Sequence, residues 1–232
     1  MRYFLGLDLG QASDYSALAI LEALQGGRDD TYNCRHLQRW PLRTPYPEIV
    51  ADVAQMARSP EMRAAMPPVL VAIDATGVGA PVVDLFRAEF GDARRTKLAV
   101  IPLDGRPMPQ LSPPVKLCPV QITGGDQVTT DGDLTRVPKR DLVSVAQVAL
   151  QTERLKIAPA LAEAQTLTRE LLNFKVKISL DTAHDSYGAW REGQHDDLVL
   201  AVSLALWTAA QYKPVPVCPP DGVFQRSSYR FQ

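Results

Sequence analysis

The fold of this chain is indicated first by residues 3–10, which read YFLGLDLG, and by a second apolar run, SALAIL, at residues 16–21. Two apolar segments joined by a short Gly/Ser/Asp segment predict a β-hairpin, with Asp8 on its first strand and Asp14 near its turn. A carboxylate within an apolar strand is costly to bury unless a positive charge meets it. A divalent metal ion is the positive group that best suits this position, so Asp8 is the first candidate metal ligand.

The surroundings of Asp8 are predicted from strand alternation. Successive side chains of a strand point to opposite faces, so Asp8 shares a face with Gly6 and Gly10. Because neither glycine has a side chain, we expect open space around this carboxylate. The structural alternative is a strand-end aspartate that accepts hydrogen bonds from turn amides.

A second aspartate follows residues 69–73, VLVAI, which predict a strand buried on both faces. Asp74 ends this strand, and Pro81 opens the helix that comes next. The carboxyl ends of parallel strands are where open α/β sheets bind ligands, so Asp74 is the second candidate metal ligand. Capping of the following helix by Asp74 or Thr76 is the structural alternative.

A third acidic site precedes the apolar helix predicted at residues 198–207. Asp196 and Asp197 are adjacent there, whereas capping a helix requires only one carboxylate. We expect Asp196 to cap the helix and Asp197, in its first turn, to be the metal ligand. His195 is interpreted either as a partly exposed loop residue or as a group that positions substrate or a proton.

The remaining elements complete an α/β domain over residues 1–212, followed by a proline-rich tail at residues 213–232. We expect strands at residues 31–40, 97–103 and 119–123, helices at residues 47–58, 139–154 and 159–173, a loop at residues 104–119, a turn at residues 124–133, and a hairpin formed by residues 174–180 and 186–191.

The charge distribution is uneven along the chain. A formal net charge of -1 argues against a generally basic nucleic-acid-binding protein, yet residues 134–177 hold eight basic side chains against four acidic ones. This segment is a candidate DNA contact, and an ordinary solvated helix face is the alternative. The DNA-binding candidates are Arg136, Lys139, Arg140, Lys175, Lys177 and His195.

The cysteines and the apolar segments bear on the cellular compartment. Cys34, Cys118 and Cys218 are odd in number and widely spaced, which favours neither a disulfide framework nor a zinc site and agrees with a reducing cytoplasm. The longest apolar stretch, residues 198–207, is too short to span a bilayer, so no membrane partner is expected.

Together these sites resemble the ribonuclease H-like superfamily, and within it the nuclease domain of phage and prophage terminase large subunits. The resemblance covers roughly residues 2–210 and rests on residues 6–10 (GLDLG), 14–17 (DYSA), 73–79 (IDATGVG), 137–142 (VPKRDL), 170–177 (ELLNFKVK) and 195–201 (HDDLVLA). It implies a mixed five-stranded sheet, with three antiparallel strands and then parallel ones, flanked by helices and extended by a β-hairpin.

The resemblance also implies an activity, which is metal-dependent cleavage of concatemeric viral double-stranded DNA during packaging in a bacterial host cytoplasm. It assigns Asp8, Asp74 and one of Asp196 or Asp197 as ligands of two Mg²⁺ or Mn²⁺ ions, with Asp14 close by. The implied partners are a packaging ATPase, a small terminase subunit or a portal. The phosphate-binding loop of a terminase motor is not found in this sequence, which leaves an isolated domain or a stand-alone relative.

Three alternatives to a terminase nuclease remain open at the level of sequence. A Holliday-junction resolvase would share the metal chemistry and differ in substrate. An actin- or sugar-kinase-type ATP-binding protein would use the Asp-x-Gly at Asp8 and the Asp-x-x-Gly at Asp74, but it would leave Asp196 and Asp197 unexplained. A DNA-binding packaging module that does not cleave would be expected to have lost its acidic ligands.

Overall fold

The computed structural model describes residues 1–10, 14–24, 30–65, 68–77, 79–90, 115–173 and 196–212. In these ranges the chain forms eight strands and six helices. The predicted strand at residues 97–103, the hairpin at residues 174–191 and the tail at residues 213–232 lie outside the described residues, as does most of the predicted loop at residues 104–119.

One mixed sheet organises the molecule, with strand order β6-β7-β5-β4-β1-β2-β3-β8. The first three strands form an antiparallel meander, and β4 pairs in parallel with β1. This is the predicted order of three antiparallel strands, a helix and a parallel central strand. The elements are β1 Arg2–Asp8, β2 Ala17–Leu24, β3 Thr31–Arg39, α1 Tyr46–Ala57, α2 Pro60–Ala64, β4 Val69–Asp74, α3 Gly79–Phe90, β5 Val115–Thr123, β6 Thr129–Asp131, β7 Leu134–Pro138, α4 Lys139–Gln151, β8 Leu155–Ile157, α5 Ala164–Asn173 and α6 Asp197–Gln211.

The described sheet has eight strands, where the family resemblance implied five. The additional strands include β6, β7 and β8, which are three to five residues long. So short a segment does not show the alternation that identifies a strand, and its pairing depends on neighbours that are distant in sequence. The segment at residues 124–133, predicted as a turn, therefore contains β6, which pairs antiparallel with β7.

Strand β5 begins at Val115, four residues before the predicted start at Pro119. Proline lacks an N–H and is normally confined to strand edges. Strand β7 pairs with β5 only from Val120 onward, whereas β4 already pairs with β5 at Pro119. Pro119 therefore lies where β5 is still an edge strand. The proline therefore marks the middle of this strand and not its beginning.

Helices cover both faces of the sheet. Every residue of α6 from Asp197 to Ala209 is buried, as expected for a helix that is apolar nearly all round. Helix α6 packs across β1 and β2 with α4 and α5 beside it, while α1 and α3 cover the opposite face. None of the helices in the described ranges has the length and apolar character that crossing a bilayer requires.

Helix α6 makes direct backbone contact with β1 at Gly6. A Cβ atom at this position would lie 2.7 Å from the amide nitrogen of Ala205 and closer still to the carbonyl oxygen of Ala201. The prediction of open space around Asp8 is therefore wrong on both sides, because α6 fills the space beside Gly6 and the backbone of Asp14 and Tyr15 fills the space beside Gly10. The close approach at Gly6 fixes the height of α6 above the sheet.

Candidate metal centre

Asp8 and Asp74 end two neighbouring parallel strands at the same edge of the sheet. Strands β1 and β4 pair in register up to the residue before each aspartate. Phe4 and Leu70, an even number of positions earlier on each strand, belong to the core beneath α6. Both carboxylates therefore lie on the face that α6 covers.

Helix α6 brings two more carboxylates to this edge. Asp196 occupies the N-cap position and Asp197 is the first helical residue. The exposed fractions of Asp8, Asp74 and Asp197 are 8%, 4% and 5%, so three acidic residues are buried together. Burial raises the pKa of Asp8 well above its usual value, and the charges of Asp74, Asp197 and Asp196 raise it further, in that order, as does a hydrogen bond with Asp74.

Two cationic side chains compensate part of this negative charge. Arg39 Nη2 lies 3.2 Å from Asp197 Oδ2, and Lys139 Nζ lies 3.3 Å from Asp196 Oδ2. Lys139 was a predicted DNA contact and is seen here beside an acidic residue of the site. Arg39 was not predicted, because nothing in the local sequence of β3 distinguishes it from an exposed strand-end arginine.

The first turn of α6 is capped by a residue from another helix. Glu170 Oε2 accepts hydrogen bonds from the amides of Leu198, at 3.0 Å, and Val199, at 3.2 Å. Asp196 makes no side-chain capping hydrogen bond, so the prediction that it caps α6 is wrong. Burial raises the pKa of Glu170 to about 7, an effect that the Val199 amide and Arg39 partly offset.

Asp74 has a structural role as well as its place in the cluster. Its Oδ1 accepts a hydrogen bond from the Thr76 amide at 2.7 Å, and Thr76 Oγ1 accepts one from the Ile122 amide at 2.7 Å. The loop after β4 is thus tied both to Asp74 and to β5. These bonds fix the direction of the Asp74 carboxylate, which a binding site requires.

Asp14 lies on a neighbouring cavity of about 260 Å³. Gly10 closes one side of it, since its amide donates to Ser16 Oγ at 3.2 Å and its carbonyl oxygen accepts from the Tyr46 hydroxyl at 3.0 Å. Arg43 also lines the cavity. A role for Asp14 beside the four other carboxylates stays a prediction.

Three of the predicted DNA contacts lie in the described ranges, with Arg136 on β7 and Lys139 and Arg140 at the start of α4. Arg136 pairs with Asp131 at 3.5 Å, and Arg140 pairs with Asp126 at 2.8 Å. Both arginine side chains remain well exposed, at 39% and 52%, so these surface ion pairs leave their guanidinium groups accessible. Lys175, Lys177 and His195 lie outside the described residues.

The chemistry of the donor set fits a magnesium or manganese ion. In the described ranges no group of three or more His, Cys, Asp or Glu side chains is already arranged to hold a metal. The carboxylates instead contact Arg39, Lys139 and one another. Oxygen ligands are what these ions prefer, and a divalent cation would relieve the repulsion that raises the pKa of Asp8.

Comparison with known proteins bears on the fold. No family model matches the sequence, and no curated protein matches it either. Among solved structures, the manganese-soaked, inhibitor-bound nuclease domain of the human cytomegalovirus terminase aligns over 90% of this chain and 82% of its own, with a TM-score of 0.54 and 12% identity. The large terminase nuclease from thermophilic phage G20c aligns over 91% and 83%, with a TM-score of 0.51 and 17% identity.

The sheet order and these alignments define a ribonuclease H-like fold, which confirms the predicted fold class. Within that class, the chain has the fold of viral terminase nuclease domains, so the resemblance inferred from its motifs is confirmed as well.

Proposed function

We propose that this chain is a divalent-metal-dependent endodeoxyribonuclease that cuts concatemeric viral DNA during genome packaging. The observation behind the proposal is the convergence of Asp8, Asp74 and Asp197, from β1, β4 and α6, at one buried edge of the sheet. Three buried carboxylates that repel one another destabilise a protein unless a ligand repays the cost. The terminase-nuclease fold supports the same assignment.

In this proposal Asp8, Asp74 and Asp197 hold the metal, with Asp196 close by. Two Mg²⁺ or Mn²⁺ ions would supply an activated water on one side of the scissile phosphate and stabilisation of the leaving oxygen on the other. Asp197 is favoured over Asp196 as a ligand because its side chain is 7% exposed against 26% and because it has the larger effect on the pKa of Asp8.

The substrate assignment rests on the cations around the acidic edge. Lys139 begins α4 beside Asp196, and Arg136 and Arg140 are exposed on either side of it in sequence. Cationic side chains beside a metal centre suit binding to the phosphate backbone of DNA. Contacts to phosphates contribute mainly to the affinity for DNA and little to sequence preference. Double-stranded DNA is the proposed substrate, and a packaging ATPase, small terminase subunit or portal is the proposed partner.

The test is cleavage of supercoiled plasmid by the purified chain in Mg²⁺, Mn²⁺ or chelator. We expect relaxed and linear DNA with either metal, none with chelator, and none with Asp8→Asn. Asp84→Asn is the matched control, since it removes a 62% exposed carboxylate from an α3 surface ion pair with Arg87. Cutting in chelator, or ATP hydrolysis without DNA cleavage, contradicts the proposal.

The packaging role needs a separate experiment. With Asp8→Asn introduced into the genome that encodes this chain, replicated DNA should accumulate as concatemers on pulsed-field gels. Unit-length DNA in that background would leave the nuclease assignment standing and remove the packaging role.

A further inference from the structure

Arg39 lies in the same cross-strand row as the first aspartate of the site. It pairs with Ala17 of β2, which pairs in turn with Asp8 of β1. Its side chain is only 15% exposed, and its guanidinium carbon lies 3.9 Å from the centre of the Tyr15 ring. An arginine so covered is held by its partners and is not a mobile surface charge.

Arg39 joins two acidic residues that are distant from each other in sequence. One guanidinium nitrogen lies 3.2 Å from Asp197 Oδ2, and the other terminal nitrogen lies 3.6 Å from Glu170 Oε1. The second oxygen of Glu170 accepts the amides of Leu198 and Val199. The Arg39 guanidinium therefore contacts the Asp197 carboxylate directly. It also contacts Glu170, which binds the backbone amides of the two residues that follow Asp197.

We propose that Arg39 is a positioning residue of the metal centre, which together with Glu170 fixes the Asp197 carboxylate and the first turn of α6. The proposal rests on the nuclease function proposed above. Without this pair, α6 would begin at a residue whose own side chain caps nothing, because Asp196 makes no capping hydrogen bond. Groups that orient metal ligands in this way typically affect metal affinity or activity by about 10–100-fold.

The geometry calls for arginine in particular. A planar guanidinium can contact two carboxylates at once and stack on an aromatic ring, whereas the ammonium group of lysine is a single point charge. If Arg39 only neutralised the buried carboxylates, lysine could replace it without loss of metal binding or activity. Arg39→Lys therefore separates a positioning role from a purely electrostatic one.

The test combines DNA cleavage with two measurements that do not depend on activity. These are Mn²⁺ binding by calorimetry and hydrogen exchange of the Leu198 and Val199 amides. For Arg39→Gln we expect Mn²⁺ binding and kcat to fall about 10–100-fold, KM for DNA to stay near wild type, and exchange of both amides to accelerate. Arg39→Lys should recover only part of each loss.

Two further variants make the test specific. Arg58→Gln is the matched control, because it removes an arginine from a surface ion pair with Glu89 at 2.6 Å and should match wild type. In the double variant Arg39→Gln/Glu170→Gln the loss should be smaller than the product of the two single losses, since the residues act as a unit. Independent, multiplicative losses would contradict a joint role.

The outcomes separate this proposal from the one on which it rests. Wild-type Mn²⁺ affinity and unchanged amide exchange in folded Arg39→Gln would overturn the positioning role, as would full recovery by Arg39→Lys. If Arg39→Gln does not fold, Arg39→Lys is measured in its place. If the wild-type chain neither binds Mn²⁺ nor cuts DNA, the proposed function fails, and the exchange of the α6 amides still decides whether Arg39 orders that turn.

Discussion

Replacing Gly6 by alanine tests the contact that sets the height of α6 above the sheet. The added Cβ would lie 2.7 Å from the amide nitrogen of Ala205, where ordinary van der Waals contact begins at about 3.4 Å, and it would lie closer still to the Ala201 oxygen. The atoms it meets belong to backbone, so no side chain can rotate away. Helix α6 must therefore move outward by roughly 1 Å.

We expect this movement to cost about 3 kcal/mol of unfolding free energy, the upper end for an overpacked core. In a domain of this size the loss corresponds to a fall in Tm of roughly 6–12 °C. The first turn of α6 holds Asp197, and a displacement of 1 Å at a reacting centre can cost about 100-fold in rate. Cleavage should therefore fall in any Gly6→Ala protein that folds.

Urea unfolding in metal-free buffer, followed by circular dichroism, measures the free-energy change. Gly125→Ala is the matched control, because its Cβ would meet only Thr123 Oγ1, at an ordinary 3.6 Å. The control should stay within about 0.5 kcal/mol of wild type. A similarly small effect for Gly6→Ala would show that α6 does not rest directly on β1.

Three other predictions concern the acidic residues. Asp8→Asn and Asp74→Asn should abolish cleavage yet leave the metal-free Tm equal or higher, because burial and the neighbouring acids raise the pKa of Asp8 and because asparagine keeps the oxygen that accepts from the Thr76 amide; marked unfolding would make the main role of these residues structural. Asp197→Asn should lose more activity than Asp196→Asn across a manganese titration, and the reverse order would move the ligand to Asp196. Because burial raises the pKa of Glu170 from 4.5 to about 7, the unfolded chain releases this proton first and stability should fall as pH rises through that interval. In metal-free urea titrations at several pH values, Glu170→Gln should reduce the fall in unfolding free energy between pH 4.5 and 7 by up to about 3 kcal/mol. If the variant and the wild type show the same pH dependence of stability, Glu170 is not the group responsible.

Much of the fold could be predicted because its signals are local. The apolar runs of β1, β2 and β4 and the apolar helix α6 each show their period or length within a few residues. The positions of Asp8 and Asp74 at strand ends follow from the same runs, and a parallel pair places such ends at one edge. Strands of three to five residues contain too little pattern, so β6, β7 and β8 were not predicted.

The strand ends that carry Asp8 and Asp74 and the helix start that carries Asp197 follow from the hydrophobic pattern alone, so the residues that can form the acidic cluster are predictable without a structure. The residues that surround these carboxylates become apparent only once the elements are packed. Arg39 and Asp197 are 158 positions apart, and Glu170 caps a helix that begins 27 positions later along the chain. Contacts of this kind arise when α5 and α6 pack against the sheet that contains β3. These contacts cannot be predicted from local sequence patterns, because they depend on burying charged side chains between elements that are distant in sequence and meet only in the folded chain.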